Sequence, residues 1–369
     1  MGLEAGTINY EGVKCYGRVG NDISGENVAY DLYKRTNSDL YLTLPEVWWL
    51  RSHKLVEKGL QWVSWCPIDF ECPFPRFFLE RLSKALAVIP TYRWAEEMLR
   101  KHLDNVLNHV YFCGVDTELY APLAESKEKV YAEFPLTRRS IGNDADFIIS
   151  VVAMNSRRKN WESLLRAIKL FQDDNVDMRI SAYLHTLPTV IEEHDLRLLA
   201  EEVGLRNFKF ADPLTLLYGY EEQEMTRILN CSDVLLSLSG ESGNLPCVEA
   251  MSCGTPPVVL DACVNSEIVP FEELKVKVLG HFLSPNPALL KPLPDLDDAV
   301  QKLNHVLNSN PATYMKRCRE WVLPRFDWKV IANRLVERLE TVEDIIEDRC
   351  LKVPETSEEL KQRMETICE

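Results

Sequence analysis

Apolar residues along this chain come in short runs separated by stretches with helical spacing, and the two alternate along most of its length. In the first third the runs are Asp39 to Leu44, Gln61 to Trp65, Ala85 to Ile89 and Val110 to Phe112. A second series follows: Phe147 to Ala153, Arg179 to Leu184, Phe208 to Phe210, Val234 to Leu238 and Pro257 to Leu260. Between them, Asn160 to Phe171 puts Leu164, Leu165, Ile168 and Phe171 on one helical face, Leu196 to Val203 is stopped by Gly204, and Glu222 to Leu229 is helical. Strands alternating with helices predict α/β architecture with parallel sheets covered on both faces. From Phe326 the spacing is wholly helical. Ile331, Leu335, Leu339, Val342 and Ile346 describe a long amphipathic helix that must pack on something, and the acidic stretch 352–369 reads as one more surface helix.

The segment Leu119 to Asn143 is irregular and charged, with Pro122 and Pro135, and reads in part as a linker. A chain of 369 residues exceeds the ~250–300 at which single cores stop growing. The expected division is a short first domain over 1–125, a second over 126–325, and terminal helices over 326–369 that begin by packing back on the first domain.

Charge and composition narrow the partners. A formal charge of -15 argues against bulk nucleic acid or an anionic membrane surface. No apolar run approaches the ~20 residues needed to span a bilayer, and the start lacks the signal-peptide pattern, which together predict a cytoplasmic protein. The eleven cysteines are scattered with no C-x-x-C, as suits reduced thiols packing as small hydrophobes. A zinc set built from Cys66, Cys72 and a distant histidine matches no common ligand spacing. No G-x-G-x-x-G follows any of the strands, which counts against a dinucleotide cofactor.

The stretch Ser239-Gly240-Glu241-Ser242-Gly243-Asn244-Leu245-Pro246-Cys247-Val248-Glu249 concentrates the candidate chemistry. It follows the apolar run Val234 to Leu238. Pro246 suits the first turn of a helix and Gly254 suits its end, so the stretch reads strand, loop, helix. Glu241 and Glu249 lie on either side of the turn, so they can face a pocket without sharing a helix face. A carboxylate accepts hydrogen bonds from paired hydroxyls, and the free N–H groups around Gly243, Asn244 and Leu245 at the helix start attract phosphate. Sugar hydroxyls and a diphosphate fit such a site.

Arg157, Arg158 and Lys159 stand at another strand-to-helix junction, with Asn160 as the expected N-cap. Three adjacent cations there read either as a solvated charged face or as an anion site, and the two junctions converge if they belong to one sheet. In the first domain, Asp69 lies in a proline-rich loop after the second strand. It is a candidate acceptor-side group, or else a helix cap in a solvated turn. His185 and His194 read more readily as packing or surface residues than as acid–base groups.

The stretch Gly240 to Pro256 resembles the donor-site signature of the retaining glycosyltransferases called group 1, or family four, commonly E-G-F-G-L-P-x-x-E-A-M-A-C-G-T-P. The chain matches it at Glu241, Leu245, Pro246, Glu249, Ala250, Met251, Cys253, Gly254, Thr255 and Pro256. Gly114 to Pro122 is similar to the "NGVDxxxFxP" segment, Val151 to Asn160 to the strand and R-K loop, Asn265 to Val269 to "G-x-x-E-I-V", and Phe326-Asp327-Trp328 to "FSW". The resemblance implies a GT-B architecture, two Rossmann-like doubly wound domains facing a cleft, with the donor in the second. It implies a hexosyltransferase-type enzyme that moves sugar from a nucleoside-diphosphate sugar with retention. Glu249 would bind the ribose and Glu241 the transferred sugar. Lys159, with Arg157 or Arg158, would neutralise the diphosphate, so no bound metal or cofactor is expected. The acceptor, whether glycan, lipid, protein or small molecule, is left open.

The chain departs from the pattern at Ser242-Gly243-Asn244, where the family has Gly-Phe-Gly, and at Met154, where many members carry arginine. The first hundred residues are short for a complete domain and lack the family's first strand and glycine-rich loop. These departures carry an alternative reading, a nucleotide-sugar-binding or scaffolding protein of the same fold that has lost transfer. A GT-B epimerase fits the donor stretch less closely.

Overall fold

The computed structural model describes residues 6–17, 24–70, 73–141, 145–191, 193–285 and 288–351. An exposed hairpin, β1 (Thr7–Tyr10) and β2 (Val13–Tyr16), comes first and forms a sheet of its own. After α1 (Glu26–Thr36), the strands β3 (Tyr41–Thr43), β4 (Trp62–Cys66) and β5 (Ala87–Pro90) pair in parallel in the order β3-β4-β5. Every residue of β4 and β5 is buried, as an apolar run covered on both faces requires. Helix α2 (Arg76–Leu82) follows β4 and α3 (Arg93–Leu99) follows β5. The acidic stretch 352–369, like Glu71 and Cys72, lies outside the described residues.

The expected strand Val110 to Phe112 does not form. Chain beyond Asn105 runs beside β5, with Leu107 N–H donating to Val88 O and Val110 N–H to Pro90 O, but the Trp65 indole takes the Val110 carbonyl at 2.8 Å and the ladder stops. The supposed linker is also more ordered than its composition suggests. It contains α4 (Lys127–Glu133), capped by the Ser126 hydroxyl, and α5 (Pro135–Ile141). Both are only seven residues long and Pro135 separates them, so neither leaves a readable period.

The second half holds a six-stranded, wholly parallel sheet. In chain order it is built from β6 (Phe147–Val152), α6 (Trp161–Asp174), β7 (Ile180–His185), α7 (Leu196–Glu202), β8 (Phe208–Phe210), α8 (Pro213–Tyr218), α9 (Glu222–Cys231), β9 (Val234–Ser237), α10 (Leu245–Cys253), β10 (Pro257–Leu260), α11 (Asn265–Ile268) and β11 (Lys275–Val276). The spatial order β8-β7-β6-β9-β10-β11 is the 3-2-1-4-5-6 arrangement of a doubly wound sheet, whose ligand crevice opens where the order reverses. Here that point lies between β6 and β9. Their outgoing loops carry Arg157 to Lys159 and Glu241, so topology alone brings the two junctions together.

A hairpin that belongs to neither parallel sheet follows, β12 (Val278–Pro285) with β13 (Ala288–Pro294). Then come α12 (Leu296–Leu307), α13 (Pro311–Phe326) and α14 (Trp328–Leu351). Ile331 and Val342 of α14 are buried with Val63, Trp65, Leu86, Ala87, Ile89 and Val110, so the last helix packs on the first half as its apolar stripe requires. The two passages of the chain between the halves are bonded to each other. Val115 N–H donates to Phe326 O at 2.8 Å, and Trp328 N–H donates back to Val115 O at 3.3 Å. Arg319 fixes the same corner with bonds to the carbonyls of Thr117, Tyr120 and Ser252.

Candidate active site

Glu241 stands at the outgoing end of β9, 6% exposed, in a parallel bridge with Cys263. Its Oε1 accepts from Lys159 Nζ at 2.5 Å and from Ser239 Oγ at 2.7 Å, and its Oε2 accepts from Arg158 Nη1 at 3.0 Å. Burial would raise its proton affinity. The charges of Lys159 and Arg158, with the hydrogen bonds of Lys159 and Ser239, outweigh that and hold the carboxyl below its ordinary range. Lys159 is shifted the other way. Burial lowers it, Glu241 opposes and Arg158 adds to the lowering, so its ammonium is more acidic than an exposed lysine's. The result is a cluster charged on both sides, with Glu241 buried and Arg158 partly exposed at its edge, set at the reversal point of the sheet.

Asp69 joins this cluster from the first half. Arg158 Nη1 lies 3.7 Å from its Oδ2, and Lys291 of β13 lies 2.9 Å from the same oxygen. The sequence places Asp69 at a strand end, and the structure puts it against Arg158. Arg157 is not brought in: its side chain is 64% exposed and 3.9 Å from Glu193. Asn160 stands before α6 but does not cap it with its side chain, because its backbone is left-handed (φ 54°) and capping needs extended geometry.

Glu249 is one helical stretch away on α10, beyond Pro246 in the first turn, and Gly254 ends the helix with φ 89°. Burial raises its carboxyl to about 7; Glu222 adds to the rise and a hydrogen bond from Tyr120 opposes it. Cys113 lies near both glutamates, and burial first, then their charges, push its thiol up. Its Sγ donates to the Gly243 carbonyl. A Cβ on Gly243 would sit 2.5 Å from Cys113 Sγ and from the Phe112 ring, so the departing loop is pressed against the first half and only glycine fits. Asn244 is buried, donating to Ser237 Oγ at 3.1 Å and Asn265 Oδ1 at 2.9 Å, and Leu245 begins α10 partly exposed.

Beside Arg158, Lys159 and Pro246 opens a largely apolar pocket of about 540 Å³, reaching Met154, His185, Leu187 and Val190. His185 belongs to its wall. Its Nδ1 is 2.7 Å from the Tyr183 hydroxyl, and burial lowers its pKa to about 4, so the ring is neutral near pH 7 and is no proton donor there. His194 contributes its carbonyl to Asn155 Nδ2 at 2.7 Å.

Sequence reasoning missed Ser239, Tyr120, Cys113 and Lys291. Ser239 was legible as a hydroxyl two places before the glutamate. Lys291 had one signal, a single cation inside the otherwise apolar Leu289-Leu290-Lys291-Pro292-Leu293.

Residues 135–320 match the model of the family described as "Glycosyl transferases group 1". No curated protein sequence matches the chain. Among solved structures, a glycosyltransferase from Rickettsia africae is similar at 14% identity, with 87% of this chain and 80% of that one covered and a TM-score of 0.61. An alpha,alpha-trehalose 6-phosphate synthase from Burkholderia multivorans is similar at 15%, covering 89% and 79%, with a TM-score of 0.63. A variant of S. aureus TarM, in complex with Fondaparinux, alpha-GlcNAc-glycerol and UDP, is similar at 12%, covering 88% and 59%, with a TM-score of 0.56. At these identities the likeness is one of fold.

Proposed function

The chain belongs to the group 1 glycosyl transferases, and from that membership we propose that it moves a hexose or related sugar from a nucleoside-diphosphate sugar to a hydroxyl acceptor with retention of configuration. The observation that carries this reading is Glu241 held by Lys159 and Arg158 at the reversal point of the second sheet, with Asp69 alongside. The apolar pocket beside it takes the nucleobase, Glu249 the ribose hydroxyls, and Glu241 the transferred sugar. The diphosphate lies between Lys159, Arg158 and the start of α10. UDP in the TarM complex, a protein of similar fold, makes uridine diphosphate the first nucleotide to try.

In the reaction the bond from sugar C1 to the diphosphate oxygen breaks and its electron pair stays on that oxygen. Lys159 and Arg158 neutralise the charge as it develops, in a site where burial keeps such interactions strong. The acceptor oxygen bonds to C1 from the same face, and its proton passes to the departing phosphate oxygen. The products are a glycoside and a nucleoside diphosphate. A nucleoside diphosphate at a hundredfold excess over its Kd stabilises the protein by about 2.7 kcal/mol, which a thermal melt reads directly. Glu249→Ala stays folded and loses the shift. A wild type that no nucleotide or nucleotide sugar stabilises rejects the reading.

A further inference from the structure

We propose that Asp69 and Lys291 form the acceptor subsite, in which Asp69 Oδ1 takes a hydrogen bond from a hydroxyl neighbouring the attacking one on an uncharged acceptor and Lys291 positions that carboxylate. The inference rests on the transferase reading above and adds to it the acceptor's chemistry and a residue outside every donor motif. Lys291 comes from the β12–β13 hairpin, which is hydrogen-bonded to neither parallel sheet. It is 6% exposed, and its Nζ donates to Asp69 O at 2.6 Å and lies 2.9 Å from Asp69 Oδ2. The hairpin thus reaches from the second half of the chain to a loop of the first. Its seat is close, since a Cβ on Gly240 would come within 3.2 Å of Pro292, next to Lys291.

Asp69 in turn shares a guanidinium with the sugar-binding glutamate. Arg158 Nη1 stands between Asp69 Oδ2 and Glu241 Oε2, 3.7 Å from one and 3.0 Å from the other. A carboxylate of the first half is therefore one cation away from the carboxylate assigned to the donor sugar, which is where an acceptor must meet C1. The other oxygen of Asp69 is the telling atom. Oδ1 is buried and has no hydrogen-bond partner, although a carboxylate oxygen readily accepts two bonds. Lys291 and Arg158 both address Oδ2, so the free oxygen is held in one orientation and ready to accept from a hydroxyl.

Charge selects the acceptor class. The cluster holds three cations, Arg158, Lys159 and Lys291, against two carboxylates, Asp69 and Glu241. Entry of a diphosphate turns that balance negative, and Lys291 is already committed to Asp69. Among the described residues, the three cations of this cluster are already paired with Asp69 and Glu241, so an anionic group on the acceptor would have to compete for them.

The test follows sugar from the nucleotide donor that stabilises the wild type to glycerol and methyl glucopyranoside, and to their phosphorylated counterparts, with donor hydrolysis measured alongside by mass spectrometry. Wild type is expected to prefer the uncharged acceptors. Asp69→Asn should lower kcat/KM for them roughly 100-fold with donor hydrolysis and nucleotide-induced stabilisation retained. Lys291→Met should lower the same parameter, and adding Asp69→Asn to it should cost little more. Where Lys291→Met fails to fold, the double variant removes both buried charges and carries the comparison. Preference for phosphorylated acceptors, undiminished transfer in Asp69→Asn, additive losses, or a wild type in which neither polyol competes with water overturns the inference while the donor reading stands. A wild type unaffected by every nucleotide takes both down.

Discussion

Trp94 N–H donates to Glu267 Oε1 at 2.7 Å, across 173 residues of sequence and from one half of the molecule to the other. The second oxygen accepts from Arg93 N–H at 2.9 Å and from the Tyr111 hydroxyl at 3.1 Å. Glu267 thus satisfies the start of α3 from outside its own half, where no local side chain does so. Glu267→Ala should lower the unfolding free energy by about 2–4 kcal/mol, since hydrogen bonds to a charged group are the stronger kind and their donors are left without a partner. Urea unfolding checks this, and a loss under about 0.5 kcal/mol would show the contact to be incidental.

With the ribose role proposed for it, Glu249 should make stability and donor affinity run in opposite directions with pH. Its folded carboxyl titrates near 7, above the ordinary 4.5, because of burial. Between those values the native state binds more protons than the unfolded one, so its contribution is fully present below the unfolded value and is lost as pH rises through about 7. In the proposed role the ribose hydroxyls need the ionised form, so the nucleotide-induced rise in Tm should grow over the same interval. Glu249→Gln should flatten both trends. Melts with and without nucleoside diphosphate from pH about 5 to about 8 decide it.

Lys159→Met should reduce transfer by about 10²–10³-fold, the scale of losing one preorganised charge at a developing oxyanion. It should also destabilise the protein by about 3–5 kcal/mol, because Glu241 is left buried with only part of its compensation. Adding Glu241→Gln should recover much of the stability and none of the activity. Thermal melts and turnover on the same three proteins separate the two effects.

Gly243→Ala should cost about 1–3 kcal/mol, since the added methyl meets Cys113 and Phe112 across the cleft. Cys113→Ala in the same protein should return part of it. A Gly243→Ala variant as stable as wild type would mean that the two loops part at no cost.

What the sequence revealed of this site was whatever local chemistry and strand periodicity carry. Glu241, Arg158 and Lys159 were legible because each sits at a strand-to-helix junction, and Glu249 because it lies on the helix that such a junction opens. The alternation of strands implied one parallel sheet, and the reversal of its order places two of those junctions side by side. Lys291 was not legible, because its partner Asp69 is 222 residues away and nothing near either names the other. The hairpin that carries Lys291 is interrupted by Gly280, Pro285, Pro292 and Pro294, which blur a period of two. Arg157 and Arg158 are adjacent and chemically identical. Only the short 3-10 turn over Arg157–Lys159 turns one toward Glu241 and the other toward Glu193.

The paired passages at Val115 and Phe326-Asp327-Trp328 restrict how the enzyme can move. Because both chain crossings are bonded to each other along one short line, a rigid swing that keeps those bonds has a single axis running through them. The cleft can gape only at its far lip. Asp69 is tied to Lys291 and Arg158 across that cleft, as Glu267 is tied to Trp94 and Cys113 to Gly243, so any opening has to part those contacts together.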